Sequence, residues 1–209
     1  MTELWLIRHG ETTWSAEGRH TGRTDLPLTV NGRRQAAALG KALAGTKFAA
    51  VRCSPLLRAK ETCEIAGFGS VAVADEGLRE WDYGVYEGRT SQDIQAEIPG
   101  WSVWKDAIVG GETVEQVGAR ADGVIARALS AGGGPRSQNR ELGHPTETED
   151  VVRVALFAHA HILRILAARW IGLGPRGGSL FALGTGSVSV LGWEKETRVV
   201  QRWNRGFEE

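Results

Sequence analysis

Cysteine is nearly absent from this chain, which holds only Cys53 and Cys63. Two such residues make neither a disulfide framework nor a metal-ligand cluster, so reduced thiols in a cytoplasmic protein are expected. A surplus of charge is missing too, with 25 Lys+Arg against 25 Asp+Glu. No global field therefore draws the protein to nucleic acid or to an anionic membrane, and an anionic ligand must be held by local arginines. No apolar stretch approaches the roughly 20 residues of a membrane span. The N-terminus has no basic region followed by a long apolar segment, and no internal repeat is visible. What remains is a chain of 209 residues, which suits one sizeable domain over 1–209 with a real core.

Short apolar runs recur at 3–7, 49–53, 71–74, 152–158, 187–193 and 198–203, with helical patterns between most of them. That alternation predicts an α/β fold of three layers, a mostly parallel central sheet with helices on both faces. Thr29 is placed to cap a helix that turns Ala36, Leu39 and Leu43 inward and ends at Gly45. Ser54-Pro55 reads as an N-cap and N1 proline, opening a helix with Ala59, Thr62, Cys63 and Ala66 on one face. Thr113 and Gln116 fit a capping box, after which Val114, Val117, Val124, Ile125, Ala128 and Leu129 continue one apolar stripe. A last helix is expected over 161–171, closed by Gly172. Gly132-Gly133-Gly134-Pro135 opens a segment, 132–149, without hydrophobic periodicity. It reads as a flexible loop insertion, and His144 within it is assigned no role.

Arg8-His9-Gly10-Glu11 follow the apolar run Leu4-Trp5-Leu6-Ile7, so Arg8 and His9 sit where a strand gives way to a loop. In an open α/β sheet, ligands bind at that edge. Arg58, in the helix after 49–53, belongs to the same edge if the two strands run parallel. The N-terminus of that helix then offers free N–H groups and a favourable dipole to an anion. His159 ends the run Val154-Ala155-Leu156-Phe157-Ala158 and brings a second histidine there. Glu80 lies among aromatic neighbours in Leu78-Arg79-Glu80-Trp81-Asp82-Tyr83-Gly84, where desolvation would raise its pKa and suit it to general acid work. Singly, each has an ordinary reading: a solvated turn, an exposed helix arginine, a satisfied histidine, a surface glutamate. Two histidines and two arginines at strand-to-helix junctions are harder to dismiss together. His161 makes a His-x-His pair with His159, but no Asp-rich or Cys-rich partner motif accompanies it, and no metal site is expected.

This set resembles the histidine phosphatase superfamily, with its phosphoglycerate mutase-like fold. The motifs are Arg8-His9-Gly10-Glu11-Thr12, Asp25-Leu26-Pro27-Leu28-Thr29 with Gly32 and Gln35, and Ser54-Pro55-Leu56-Leu57-Arg58-Ala59. Gly111-Glu112-Thr113 with Val117 and Arg120, and the strand-terminal His159, complete the order across nearly the whole chain outside 132–149. The resemblance implies that His9 is the nucleophile, that Glu80 is the proton donor, and that Arg8, Arg58 and His159 form the phosphate pocket. Thr21 and Gly22 match a small loop that touches bound phosphate or substrate. Ser15 stands where many members carry asparagine, which shortens its phosphate contact. Ala160 follows His159 where glycine is usual, which narrows the pocket floor.

Within the superfamily, Trp14-Ser15, Gly18-Arg19-His20-Thr21-Gly22 and Glu80-Trp81-Asp82-Tyr83-Gly84 with Tyr86-Glu87-Gly88 are similar to the bacterial acid phosphatases and the fungal sedoheptulose-bisphosphatase group. Cofactor-dependent mutases usually follow their acid glutamate with Arg-His-Tyr-Gly and a longer basic insertion, so Trp81-Asp82-Tyr83-Gly84 favours hydrolysis. The implied activity is a metal-independent phosphatase, with no cofactor, acting on small phosphate monoesters (a sugar phosphatase or a general acid phosphatase) through a phosphohistidine. Arg8 and Arg58 would grip the phosphoryl oxygens bidentately and a protonated His159 would add a donor. Glu80, protonated at rest, would serve the leaving group, giving an optimum on the acid side of neutral. The alternatives are a cofactor-dependent phosphoglycerate mutase and a catalytically silent phospho-ligand binding protein. The silent form would have lost His9, Arg58, Glu80 or His159, and all four are present.

The expected partner is a phosphorylated small molecule, not nucleic acid or membrane. Oligomeric state is not legible in the sequence, although family members are often dimers, which leaves a homodimer open. Trp14, Trp81, Tyr83, Tyr86, Trp101 and Trp104 fall in segments able to form the mouth of the site, with Tyr83 counted as a substrate contact; core packing explains them equally well. Trp5, Trp170, Trp193 and Trp203 read as core. His20 and Arg23 are candidates for a second phosphate or a sugar hydroxyl, or solvated loop residues.

Overall fold

The computed structural model describes residues 1–131 and 151–207, so the insertion expected at 132–149, with His144, lies outside the described residues. Strands β1 (Thr2–Arg8), β2 (Ala50–Cys53), β3 (Ala72–Ala74) and β4 (Val152–Ala158) run parallel, while β5 (Val188–Glu194) and β6 (Thr197–Arg205) are antiparallel additions. They form one sheet of order β3-β2-β4-β1-β5-β6, and each strand coincides with an apolar run of the sequence. The helices are α1 (Thr13–Ala16), α2 (Val30–Leu43), α3 (Leu57–Ile65), α4 (Ser91–Glu97), α5 (Val114–Ala131) and α6 (Ala160–Trp170).

Side chains of the central strands alternate between two cores. Leu4, Leu6, Val154, Leu156 and Ala158 pack with α5 and α6, whereas Ile7, Ala155 and Phe157 pack with α2 and α3. Because both faces are covered, these strands read as continuous apolar runs. Thr29 caps α2 by accepting the Gly32 N–H. The Thr113–Gln116 box opens α5, with reciprocal bonds of 2.7 and 3.2 Å. Gly172, at φ +83°, follows the end of α6 in the left-handed conformation that stops a helix.

The Ser54-Pro55 cap is a correction. Helix α3 begins at Leu57, Leu56 makes no side-chain cap bond, and the Leu57 N–H is taken by Asp25 Oδ1 at 2.6 Å. That N-terminus already holds a carboxylate and is not the free anion site expected. Helices α1 and α4 are additions to the sequence reading; each carries a capping box (Thr12 with Ser15, Thr90 with Asp93) but is too short for apolar periodicity to show. The tryptophans also redistribute. Trp5, Trp193 and Trp203 are only half-buried, whereas Trp81, Tyr83, Tyr86, Trp101 and Trp170 are buried. Among the described residues no helix is long and apolar enough to cross a membrane.

Register fixes what meets at the sheet edge. Arg8 pairs with Ala158, so His9 and His159 emerge side by side, and the His9 N–H donates to the Ala158 carbonyl at 3.0 Å. Cys53 pairs with Phe157, which sets Ser54 next to His159. The chain leaves β1 for β2, beyond β4, and leaves β4 for β5, beyond β1. The crevice of an open α/β sheet lies where such connections diverge.

Candidate active site

A cavity of about 410 Å³ opens at this edge, with Arg8, His9, Glu80, Tyr83, His161 and Arg164 among its walls. His9 is buried, with Nδ1 2.6 Å from the Gly10 carbonyl oxygen. A carbonyl only accepts, so Nδ1 carries the hydrogen and Nε2 keeps its lone pair. Burial first, then the charges of Arg58 and Arg8, hold the His9 pKa well below its ordinary 6.5. The ring is neutral, of fixed tautomer, and keeps a lone pair on Nε2. Gly10 must be glycine, because a Cβ there would lie 2.3 Å from the Gly32 carbonyl oxygen.

Arg8 donates through one terminal nitrogen to the Leu183 carbonyl, while its Nε is buried without a partner. That donor is left without an acceptor from the protein, on a residue of the cavity wall. Burial lowers the Arg8 pKa to about 10 against the opposing pull of Glu80, so the group stays a cation near neutrality. Arg58 is arranged otherwise than expected. Its Nε donates to His159 Nδ1 at 3.0 Å, and its terminal nitrogens donate to the carbonyls of Thr24, Thr21 and Gly22 at 3.0, 2.9 and 3.1 Å. Four of five N–H groups are thus spent, which excludes a bidentate grip in this geometry. His159 Nδ1 accepts, so its Nε2 carries the hydrogen and donates to Ser54 Oγ at 2.7 Å. Burial, then Arg58, keep His159 neutral, not the protonated donor the sequence suggested. Both side chains stand behind His9, whose ring centroid is 5.1 Å from that of His159, and neither lines the cavity.

Glu80 closes the other side. Its Oε1 accepts the N–H groups of Trp81 and Ile162, and Oε2 accepts that of His161, all at 3.0 Å. The carboxyl therefore caps α6, whose own N-cap, His159, makes no side-chain cap bond. Both Oε1 lone pairs are thereby engaged, while Oε2 keeps one. Glu80 is buried beside aromatic neighbours as expected, and in addition sits in a nest of N–H donors that the sequence did not show. Tyr83 Oη lies 2.7 Å from His161 Nδ1. Burial pushes the tyrosine up and the histidine down, so both are neutral.

A model of the histidine phosphatase superfamily (branch 1) matches residues 4–206. This chain belongs to that superfamily. An acid phosphatase of Mycobacterium tuberculosis is 39% identical over 197 residues, 93% of this chain and 88% of its own. A sedoheptulose 1,7-bisphosphatase of Saccharomyces cerevisiae is 35% identical over 193 residues, 81% of this chain and 67% of its own. A probable phosphoglycerate mutase of Salmonella paratyphi A is 34% identical over 144 residues, covering 65% and 67%. The solved structure of an open reading frame product of M. tuberculosis superposes with a TM-score of 0.84 at 35% identity, covering 98% of each chain.

The other residues expected of a histidine phosphatase fall into two groups. Ser15 and Thr21 line the cavity, but the Ser15 hydroxyl accepts from the Thr12 N–H and donates to the Thr12 carbonyl, and the Thr21 hydroxyl donates to the Arg19 carbonyl. Gly22 is away from the cavity, with its N–H on the Glu87 carboxylate. A Cβ at Gly22 would lie 2.4 Å from the Trp81 carbonyl oxygen, so glycine lets loop 21–24 press against the Glu80 loop. Arg23 is paired with Asp82 at 2.6 Å and is absent from the cavity wall, whereas His20 and Ala160 are part of it. The sequence reading missed His161 and Arg164 as cavity residues. They follow His159 three residues apart on one face of α6, the spacing that could have revealed them. Arg164 lies 4.6 Å above the Trp104 ring and donates from Nε to the Gly178 carbonyl at 3.1 Å.

Proposed function

We propose that this protein hydrolyses phosphate monoesters of small organic molecules through a phosphohistidine at His9. The observation that carries the reading is the His9 tautomer: Nδ1–H is tied to Gly10, and the ring presents its Nε2 lone pair in a cavity it shares with Glu80 and the orphaned Arg8 donor. In the first step Nε2 attacks phosphorus, the P–O ester bond breaks, and the Oε2 proton of Glu80 goes to the departing alkoxide. In the second, water attacks the phosphohistidine, the N–P bond breaks, and the water proton returns to Glu80. Arg8 meets the charge spread over the phosphoryl oxygens, while Arg58 adds its field from behind. Uncatalysed monoester hydrolysis is among the slowest of reactions, so prepositioned charge must supply most of the acceleration.

Arg19 and Arg164 bring two further cations to the cavity that Arg8 lines, beside the polar Ser91, Gln95 and Ser102. This favours substrates with a second anionic or polyhydroxylated part, as in the sugar bisphosphate of the yeast relative's name. A panel of sugar phosphates, nucleotides and phosphoglycerates, assayed for phosphate release, tests the class. Alkaline quenching with labelled substrate should leave label on the wild type and none on His9→Ala. Retention of most of the rate by His9→Ala would overturn the proposal. Conversion of 3-phosphoglycerate to 2-phosphoglycerate with little free phosphate would establish the mutase instead.

A further inference from the structure

The catalytic cavity does not include Arg120 or Glu112, yet this pair is built around the loop that carries Glu80. Arg120, on α5, uses all five of its N–H groups. Nε and one terminal nitrogen grip the Glu112 carboxylate at 2.7 and 2.8 Å. The remaining N–H groups donate to the carbonyls of Gly77, Arg79 and Glu80 at 2.8, 3.0 and 3.3 Å. Glu112 holds the far side of the loop. Its Oε2 accepts the Asp82 N–H at 3.0 Å, and its carbonyl accepts the Trp81 indole N–H at 2.8 Å. The Glu112 N–H returns a bond to the Asp82 carbonyl. Residues on both sides of Glu80 are therefore fixed by one ion pair, and the Glu80 backbone itself by Arg120.

We infer that Arg120 and Glu112 are positioning residues for the proton donor. They hold the backbone so that the Glu80 carboxyl meets the N-terminus of α6 and turns Oε2 toward the substrate. The inference rests on the reading of Glu80 as general acid. Its physical basis is that the loop has no β-ladder to set its register, so side-chain donors must do so. A shift of about 1 Å in a catalytic group can cost on the order of 100-fold. Arg120 suits the task because a planar, always-charged fork reaches several acceptors at fixed angles, which lysine cannot reproduce.

The test separates a positioning role from a merely structural one through the leaving group. kcat/KM reports the first chemical step, in which glycerol 2-phosphate needs a proton on its alkoxide and p-nitrophenyl phosphate scarcely does. Arg120→Lys and Glu112→Gln should each lower kcat/KM for the alkyl ester by roughly 10- to 100-fold, and change the aryl ester by less than about threefold. Adding Glu80→Gln to either should cost little beyond Glu80→Gln alone, because the pair acts through that carboxyl. Equal losses on both esters, or additive losses in the double variants, would overturn the inference. Should Glu80→Gln itself fail to discriminate between the esters, the acid assignment falls, and this inference with it. If Glu80→Gln discriminates and the Arg120 and Glu112 variants do not, only the positioning role is lost. Glu112→Gln keeps the shape of the loop, and a melting curve checks that each variant is folded.

Discussion

The two halves of the site are built by different means. On the side of the proposed nucleophile, His9, Ser54 and His159 leave neighbouring parallel strands, and the ladder sets their spacing before any side chain acts. On the side of the proposed acid, Glu80 sits between two short 3-10 turns, Glu76–Leu78 and Gly84–Tyr86, with no ladder through it. There the register comes from polar side chains and one helix N-terminus. The contrast teaches where each half is vulnerable: the first to loss of its buried hydrogen-bond partners, the second to loss of single charges far from the reacting atoms.

The largest expected effect tests the first half. His9→Ala should lower kcat/KM by at least about 10⁴-fold, equally for alkyl and aryl esters, because the proposed attack on phosphorus comes from its Nε2. Glu80→Gln should cost roughly 10²- to 10⁴-fold on an alkyl ester and much less on an aryl one. A steady-state comparison of the two esters reads both. A uniform loss in Glu80→Gln would erase the distinction between the halves.

That asymmetry also decides what could be read from the sequence. The strand runs and the residues just after them were legible, since period and composition mark a buried strand and its end. Glu80 was legible as a candidate acid from its aromatic neighbours, and its assignment as the proton donor came from resemblance; its hydrogen-bond partners were not legible, because its donors come from Trp81, His161 and Ile162, and its loop is gripped from α5. Side-chain direction was the other blind spot. Arg58 and His159 face each other rather than the cavity, and Ser54 Oγ accepts from His159 Nε2 instead of capping α3. Backbone spacing says which edge a residue occupies, not which of its donors are already taken.

A smaller effect follows from the buried histidines. His9, His159 and His161 all have pKa values held well below 6.5, chiefly by burial. Below about pH 6.5 the unfolded chain binds protons that the folded chain refuses, so their contribution is intact above that pH and is lost as pH falls. Each can remove up to about 1.4 kcal/mol of stability per pH unit there. Urea midpoints should therefore fall from pH 7 to pH 5, and the fall should be shallower in His159→Gln. The His9 pKa is likewise held well below 6.5, so kcat/KM should show no loss from His9 centred near pH 6.5. A decline with an apparent pKa near 6.5 would mean that the His9 environment is less buried than described.

The smallest effect sharpens the comparison most, because it perturbs the nucleophile side without touching a reacting atom. Thr62 Oγ1 accepts the Gly10 N–H at 3.0 Å and donates to the Arg58 carbonyl at 2.7 Å, tying the residue after His9 to α3. Thr62→Val keeps the volume and leaves that buried N–H without an acceptor, at a cost of about 1–3 kcal/mol in unfolding free energy. Any accompanying loss of kcat/KM should be the same for glycerol 2-phosphate and p-nitrophenyl phosphate, since a displaced nucleophile meets every leaving group alike. A loss confined to the alkyl ester would instead show that strain passes from β1 to the Glu80 loop, and that the two halves are one mechanical unit.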